Sequence, residues 1–486
     1  MFSSKHFLIS CYSRFLVVFV FVFGAGLPRF VDSLPQPIPS PALAHFTSGP
    51  RGITMFQHFG LCTFTDCQWD TQLATPSAFN PIPDIDTNQW MEAALLLGAS
   101  QVCLTVRLVD GFALWPTKTT NYSVASSPWR NGTGDVAADF VASARAYGIS
   151  PCFYVILGFN IFANKSNVPS DVYLEQQRTV ITELAAYGPD RFWWDNYALD
   201  GRIYQPVTHD GWICDNNING PSCPAWNNVS SLVRELLPST LIIPGPDGCL
   251  VNAEQDGGTY PLYRSATQGS YWCTNAASPL PTNASDPPVT FMGVEADYTI
   301  GMPGDDWFWS PTYPVLPAAN LWSEITLKHG QGANLILNIP PDTTGKVPDN
   351  IMATLAQYRA IYDATYNVPP AAVLDYPVSG SCPGLTFTVP VSPSAVFDQL
   401  ETMEDMTVNG QVIDGYTVEA LVGGSWNLLP VHGRTVGSRI RDYGLGNLAG
   451  VQELRFTCTG SVDGVGPLVN ATISHFAAYL GAPVGK

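Results

Sequence analysis

A chain of 486 residues, 46% of them hydrophobic, can bury one large core and a second smaller one. Its net charge of −18, with no run of Lys or Arg to override it locally, repels phosphate backbones and anionic membrane surfaces. Nucleic-acid binding and electrostatic membrane binding are therefore set aside.

The first segment reads as an export signal. Lys5 and Arg14 precede the apolar run "FLVVFVFVFGAG", which has the length of a signal core and is short for a membrane span. Small residues at Gly24, Ala25 and Gly26 offer a cleavage point, giving a signal peptide over residues 1–26 and no membrane attachment after its removal. Setting Cys11 aside leaves ten of the eleven cysteines, an even number suited to disulfides in an oxidising compartment. Cys214 with Cys223, and Cys382 with Cys458, are candidate pairs. Six glycosylation acceptors, at Asn121, Asn131, Asn164, Asn228, Asn283 and Asn470, add to an expectation of a secreted, extracellular glycoprotein.

After a Pro-rich lead, short apolar runs alternate with helical patterns. "GITMFQHFG", "QVCLTV", "SPCFYVIL", "RFWWD", "STLIIPG", "TFMGVE" and "ANLILNI" are apolar on both faces, as strands covered by helices must be. Between them, "DTNQWMEAALLLG" carries Asp86 or Thr87 to cap a helix and Gly98 to end it. The alternation predicts an α/β fold, a (β/α) barrel over about residues 45–366, with a doubly wound sheet as the alternative. In a barrel, chemistry sits at the carboxyl ends of the strands, here His58, Asp110, Gly158, Asp195, Asp247, Glu295 and Asn338. From about Pro369 the pattern changes to short alternating strands joined by Gly/Pro turns, which predicts an antiparallel β-sandwich over residues 372–486.

Two of these strand ends carry carboxylates set among aromatic residues. Asp195 closes "DRFWWDNY" and Glu295 closes "VTFMGVE". Two carboxylates on one barrel face are what glycoside hydrolysis needs, one to attack or activate water and one to protonate the leaving oxygen. The bland readings are a helix-capping aspartate and an ion-paired glutamate. Tryptophans at 69, 115, 129, 193, 194, 307 and 309 crowd the mouth, where flat rings would stack on sugar faces. There is no Gly-rich phosphate loop, His-Glu-x-x-His or Cys-x-x-Cys, so no cofactor or metal is called for.

"FQHFGLCTFTDCQWDT", "QVCLTVRLVDGFALWP", "RFWWDN", "GVEADYTIGMPGDDWFW" and "HGQGANLILNIPPDTTG" resemble, in order, the blocks of family 29 α-L-fucosidases, the plant-type branch in particular. The resemblance implies an irregular (β/α) barrel that hydrolyses terminal α-L-fucose on oligosaccharides or glycoprotein glycans with retention. It implies Asp195 as nucleophile, Glu295 as acid/base, His58 as a sugar-contacting histidine, and Trp69 and Trp193 as walls of the site. Where the family has Lys-His-His-Asp-Gly-Phe, this chain has Arg107-Leu108-Val109-Asp110-Gly111-Phe112, and Leu and Val cannot hydrogen-bond to hydroxyls. Gln68 stands where the family usually has Glu. The sequence thus supports a retaining glycosidase, with α-L-fucosidase leading by ancestry. A glycosidase of altered sugar specificity and a non-catalytic carbohydrate-binding protein are the alternatives.

Overall fold

The computed structural model describes residues 40–48, 52–68, 73–156, 161–166, 170–195, 224–251, 264–265, 290–291, 293–301, 306–330, 332–462 and 469–482. The proposed signal peptide, Trp69 and the Cys214 with Cys223 pair lie outside these residues.

Apolar runs in the first two thirds become parallel strands because bulky side chains on both faces need cover on both faces. They are β1 (Ile53–Gln57), β2 (Gln101–Arg107), β3 (Ser150–Ile156), β4 (Arg191–Asp195), β5 (Leu241–Ile242), β6 (Gly248–Val251), β7 (Gly293–Thr299) and β8 (Asn334–Asn338). The sheet runs in the order β5-β4-β3-β2-β1-β8-β7-β6. Its two outer strands, β5 and β6, are joined by a tight turn in which Gly245 N donates to Gly248 O at 2.8 Å, so the sheet curls into an irregular near-barrel.

Alternation along each strand sorts the core. Met55, Leu104, Phe153, Trp194 and Leu335 point outward into the layer shared with the helices. Phe56, Tyr154, Trp193, Leu250 and Ile336 form the inner cluster. In that outer layer, α1 (Thr87–Leu97) starts where the Asp86 carboxylate accepts from Gln89 N at 3.2 Å, and ends at Gly98, whose φ of 81° suits a residue with no Cβ. It buries Trp90, Met91 and Leu97 against the barrel, and Trp90 Nε1 donates to Gly345 O at 3.0 Å. Burying each such large side chain is worth about 2–3 kcal/mol. The fold class therefore holds, with two differences in detail. β6 is a four-residue strand directly after the Pro244–Asp247 turn, where the apolar pattern alone ends. The strand read as ending at Glu295 instead begins at Gly293 and runs on to Thr299.

The C-terminal residues form two antiparallel sheets. One is built on 399–404 and 470–479, the other on 386–390, 413–422 and 451–461. Val418, Leu454, Phe456 and Phe476 fill the space between them. Cys382 is bonded to Cys458 as anticipated, and the barrel carries Cys62 with Cys67 and Cys103 with Cys152. The sandwich docks through Arg441 N, which donates to Gly330 O at 2.7 Å, and through the Arg441 guanidinium, 4.7 Å over the Tyr366 ring.

Candidate active site

Asp195 is the last residue of β4 and its side chain faces the barrel axis, with 6% of the residue exposed. Tyr154, on the neighbouring strand β3, donates its hydroxyl to Asp195 Oδ2 at 2.5 Å. Below the carboxylate on β4, Trp193 stacks on the Tyr154 ring with centroids 5.3 Å apart and 21° between planes. The nucleophile candidate is thus a carboxylate that accepts a hydrogen bond from a phenol over an aromatic floor. A hydrogen bond to the charged form favours that form, which an attacking carboxylate requires.

His58 follows the end of β1 and lies in the same mouth, 6% exposed. Its Nδ1 is 2.8 Å from Asn338 Oδ1, at the end of β8. Desolvation lowers its pKa to about 3, the Asn338 contact only partly opposing this, so the ring is neutral across the working range. Its Nδ1–H donating to Asn338 leaves Nε2 as an acceptor, with no partner among the described residues. Trp307 and Phe308 pack against the imidazole at 5.1 and 5.3 Å. That wall is fixed by Gln68, whose Oε1 accepts from Trp307 N at 2.6 Å and Phe308 N at 2.8 Å while its Nε2 donates to Phe308 O at 3.0 Å. Gln can serve both kinds of group; a carboxylate in its place could not donate.

Glu295 is where sequence reading and structure part. It is the third residue of β7, fully buried, and its register partner is Asn334 at the start of β8 rather than Asn338 at its end. Arg191 grips it bidentately, Nη1 donating to Oε1 at 2.9 Å and Nη2 to Oε2, and Trp193 Nε1 donates to Oε2 at 3.0 Å. Its carboxylate therefore sits at the level of Arg191 and Trp193, two to four residues and about 7–13 Å below Asp195 along β4. The strand-end placement is corrected: β7 continues to Thr299, and both Glu295 oxygens are held by Arg191, Oε2 also by Trp193.

The other tryptophans divide. Trp193 belongs to the inner cluster, and Trp307 packs against it. Trp115 donates to Glu183 Oε2 at 2.9 Å, Trp129 to Asp84 Oδ1 at 2.7 Å, and Trp194 faces the helices, so these three serve the framework. Sequence reasoning did not single out Tyr154 or Arg191. The signal available was parity, since both lie an even number of residues from, or in register beside, inward-facing Trp193.

The sequence profile of the family described as Alpha-L-fucosidase matches residues 54–360, more than half of the chain and every barrel strand but the first residue of β1. The chain belongs to the α-L-fucosidase family. Alpha-L-fucosidase 1 of Arabidopsis thaliana is 30% identical over 351 residues, 68% of this chain and 61% of its own length. The chain thus spans about three fifths of that curated relative. Among solved structures, a Bacteroides ovatus protein assigned to the α-L-fucosidases gives a TM-score of 0.76 at 24% identity, covering 94% of this chain and 76% of the other. A Ruminococcus gnavus GH29 fucosidase in complex with fucose gives 0.71 at 16% identity, covering 92% and 96%. These two likenesses establish the fold.

Within the α-L-fucosidase fold, the stretch 101–116 is the least orthodox part of this chain. β2 turns at Leu108 to Gly111, where Gly111 N donates to Leu108 O at 3.0 Å and Gly111 adopts φ 92°. Asp110 Oδ1 accepts from Phe112 N at 2.8 Å and pins the turn. The chain then doubles back, Leu114 N donating to Val106 O at 2.9 Å. Leu108 and Val109, 5% and 1% exposed, pack in the inner cluster with Phe56, Tyr154, Ile156 and Trp193. Apolar surface thus lines the mouth where the family pattern carries two histidines.

Proposed function

We propose that this α-L-fucosidase family member is a secreted retaining glycosidase that releases terminal α-L-fucose from oligosaccharides or glycoprotein glycans. The observation that carries the reading is Asp195 at the barrel mouth, held by Tyr154, beside a neutral His58, in a chain whose barrel matches the family. An Asp195 oxygen attacks the anomeric carbon as the bond to the leaving oxygen breaks and that oxygen takes up a proton from solvent. Water then attacks the same carbon, breaking its bond to Asp195, releasing the sugar and restoring the carboxylate while the proton from water returns to solvent. Glu295 is left out of the proton transfers, because its oxygens are committed to Arg191 and Trp193 beneath the mouth.

Export is supported by the leader sequence, by the Cys62–Cys67, Cys103–Cys152 and Cys382–Cys458 disulfides and by acceptor residues Asn121, Asn131 and Asn470, all exposed. The covalent step is tested with a 2-deoxy-2-fluoro-α-L-fucosyl donor bearing a good leaving group. Peptide mass analysis is expected to find the added sugar on the peptide containing Asp195; a labelled peptide without Asp195 would remove it as nucleophile.

One observation favours a second reading. Leu108 and Val109 offer no partner to a sugar hydroxyl, and each unpaired buried hydroxyl costs about 1–3 kcal/mol. A glycoside that presents an apolar edge to that wall would fit better than fucose does. Turnover of a non-fucose glycoside in preference to fucose would select this reading and keep the mechanism.

A further inference from the structure

We propose that the buried Arg191–Glu295 pair is a positioning device for Asp195, acting through Trp193 and Tyr154; the inference rests on Asp195 being the nucleophile. Arg191, Trp193 and Asp195 project from β4 to the same side, one above the other. Arg191 is fully buried and fixed on four acceptors: both Glu295 oxygens, Gln101 Oε1 at 3.1 Å and Ile243 O at 3.0 Å. These belong to β7, β2 and the turn after β5, so the pair cross-links strands from opposite sides of the barrel. The Phe46 ring closes it from below, 4.9 Å from the guanidinium.

Glu295 then accepts from Trp193 Nε1 at 3.0 Å, which fixes the indole's rotation. The indole stacks on Tyr154, and Phe56 wedges against both rings at 5.3 and 5.7 Å. Tyr154 is therefore confined on two sides with its hydroxyl aimed at Asp195 Oδ2. In this chain of contacts only Asp195, at its end, is assigned to the reacting carbon, and Arg191 and Glu295 lie beneath it. A family fold that needed only to survive could fill this space with apolar side chains, which is often neutral or stabilising relative to a buried ion pair. Retaining the pair makes sense if its geometry, rather than its energy, is what matters.

The test is the double variant Arg191→Met with Glu295→Leu, with E295Q beside it in case the double variant does not fold. Gln keeps the volume and an acceptor for Trp193 while loosening the grip of Arg191. In the double variant kcat is expected to fall at least 10-fold with the dissociation constant for free fucose within 3-fold of wild type. E295Q is expected to fall between the two. The loss should be equal for a 2,4-dinitrophenyl and a 4-methylumbelliferyl α-L-fucoside, because misplacing a nucleophile slows attack whatever the leaving group. A loss confined to the poorer leaving group would instead mark Glu295 as the proton donor and overturn the proposal. So would wild-type kcat in a folded double variant. Crystal structures give a readout independent of turnover: the Tyr154–Asp195 hydrogen bond should lengthen or break in the double variant, and unchanged geometry there would equally overturn it. Absence of turnover by wild type would count against the proposed function, leaving the positioning claim to be decided by those structures.

Discussion

At Asp195, the proposed nucleophile, the Tyr154 hydroxyl donates to Oδ2. His58 is held by a neutral partner, Asn338. Burial holds its pKa near 3, against 6.5 in an unfolded chain. The consequence for stability has a definite sign. Below pH 6.5 the unfolded chain binds a proton at this position that the folded protein refuses, so the folded state loses ground as pH falls toward 3. By pH 5 the loss from this residue alone is about 2 kcal/mol. The H58Q variant, which cannot titrate, should show a smaller drop in unfolding free energy than wild type between pH 7 and pH 5 in denaturant titrations. An equal drop in both would show that His58 is not buried neutral. Leu108 and Val109 are the residues at which the second reading locates specificity, since they place apolar side chains where the family pattern carries two histidines.

Elements were legible where one physical constraint dominated. The β2 run is buried at all seven positions and reads as a strand from its apolar residues alone. The α1 helix is bounded by Asp86 and Gly98, whose capping roles are local chemistry. β7 was misread because its inner face is polar at Glu295, Asp297 and Thr299, so the apolar signal stops where the strand continues. No local pattern could have shown that Arg191, 104 positions away, neutralises Glu295, and the Cys103 with Cys152 bond likewise follows from strand adjacency rather than spacing. The sandwich strand 399–404, paired on both sides, hides a similar group. Glu404 sits beside a register shift with its Oε1 accepting from Val412 N at 2.7 Å, and burial pushes its pKa up to about 8 despite those backbone donors. An unfolded Glu ionises near 4.5, so this residue costs the folded state stability as pH rises from 4.5 toward 8, about 3 kcal/mol by pH 7. E404Q keeps the carbonyl acceptor and should be more stable than wild type at pH 7 but not at pH 4. A variant less stable than wild type at pH 7 would contradict the assignment.

As a whole the molecule is a barrel braced from one side by its sandwich. Glu401 links the two: burial alone would raise its pKa, but Arg441 and Arg439 hold it down to about 2, and Arg441 in turn covers Tyr366 at the barrel's last helix. Asp195, His58 and the Leu108 and Val109 wall converge at the carboxyl ends of the strands, over Trp193. Under the proposed function this mouth is a working glycosidase site with Asp195 as its nucleophile. Purified protein should be assayed on an aryl α-L-fucoside beside a panel of other aryl glycosides, with D195N as the partner variant. Wild type is expected to turn over the fucoside, and D195N to do so roughly three orders of magnitude or more slowly. Wild type and D195N equally inert on every glycoside would contradict it and leave a carbohydrate-binding scaffold in its place.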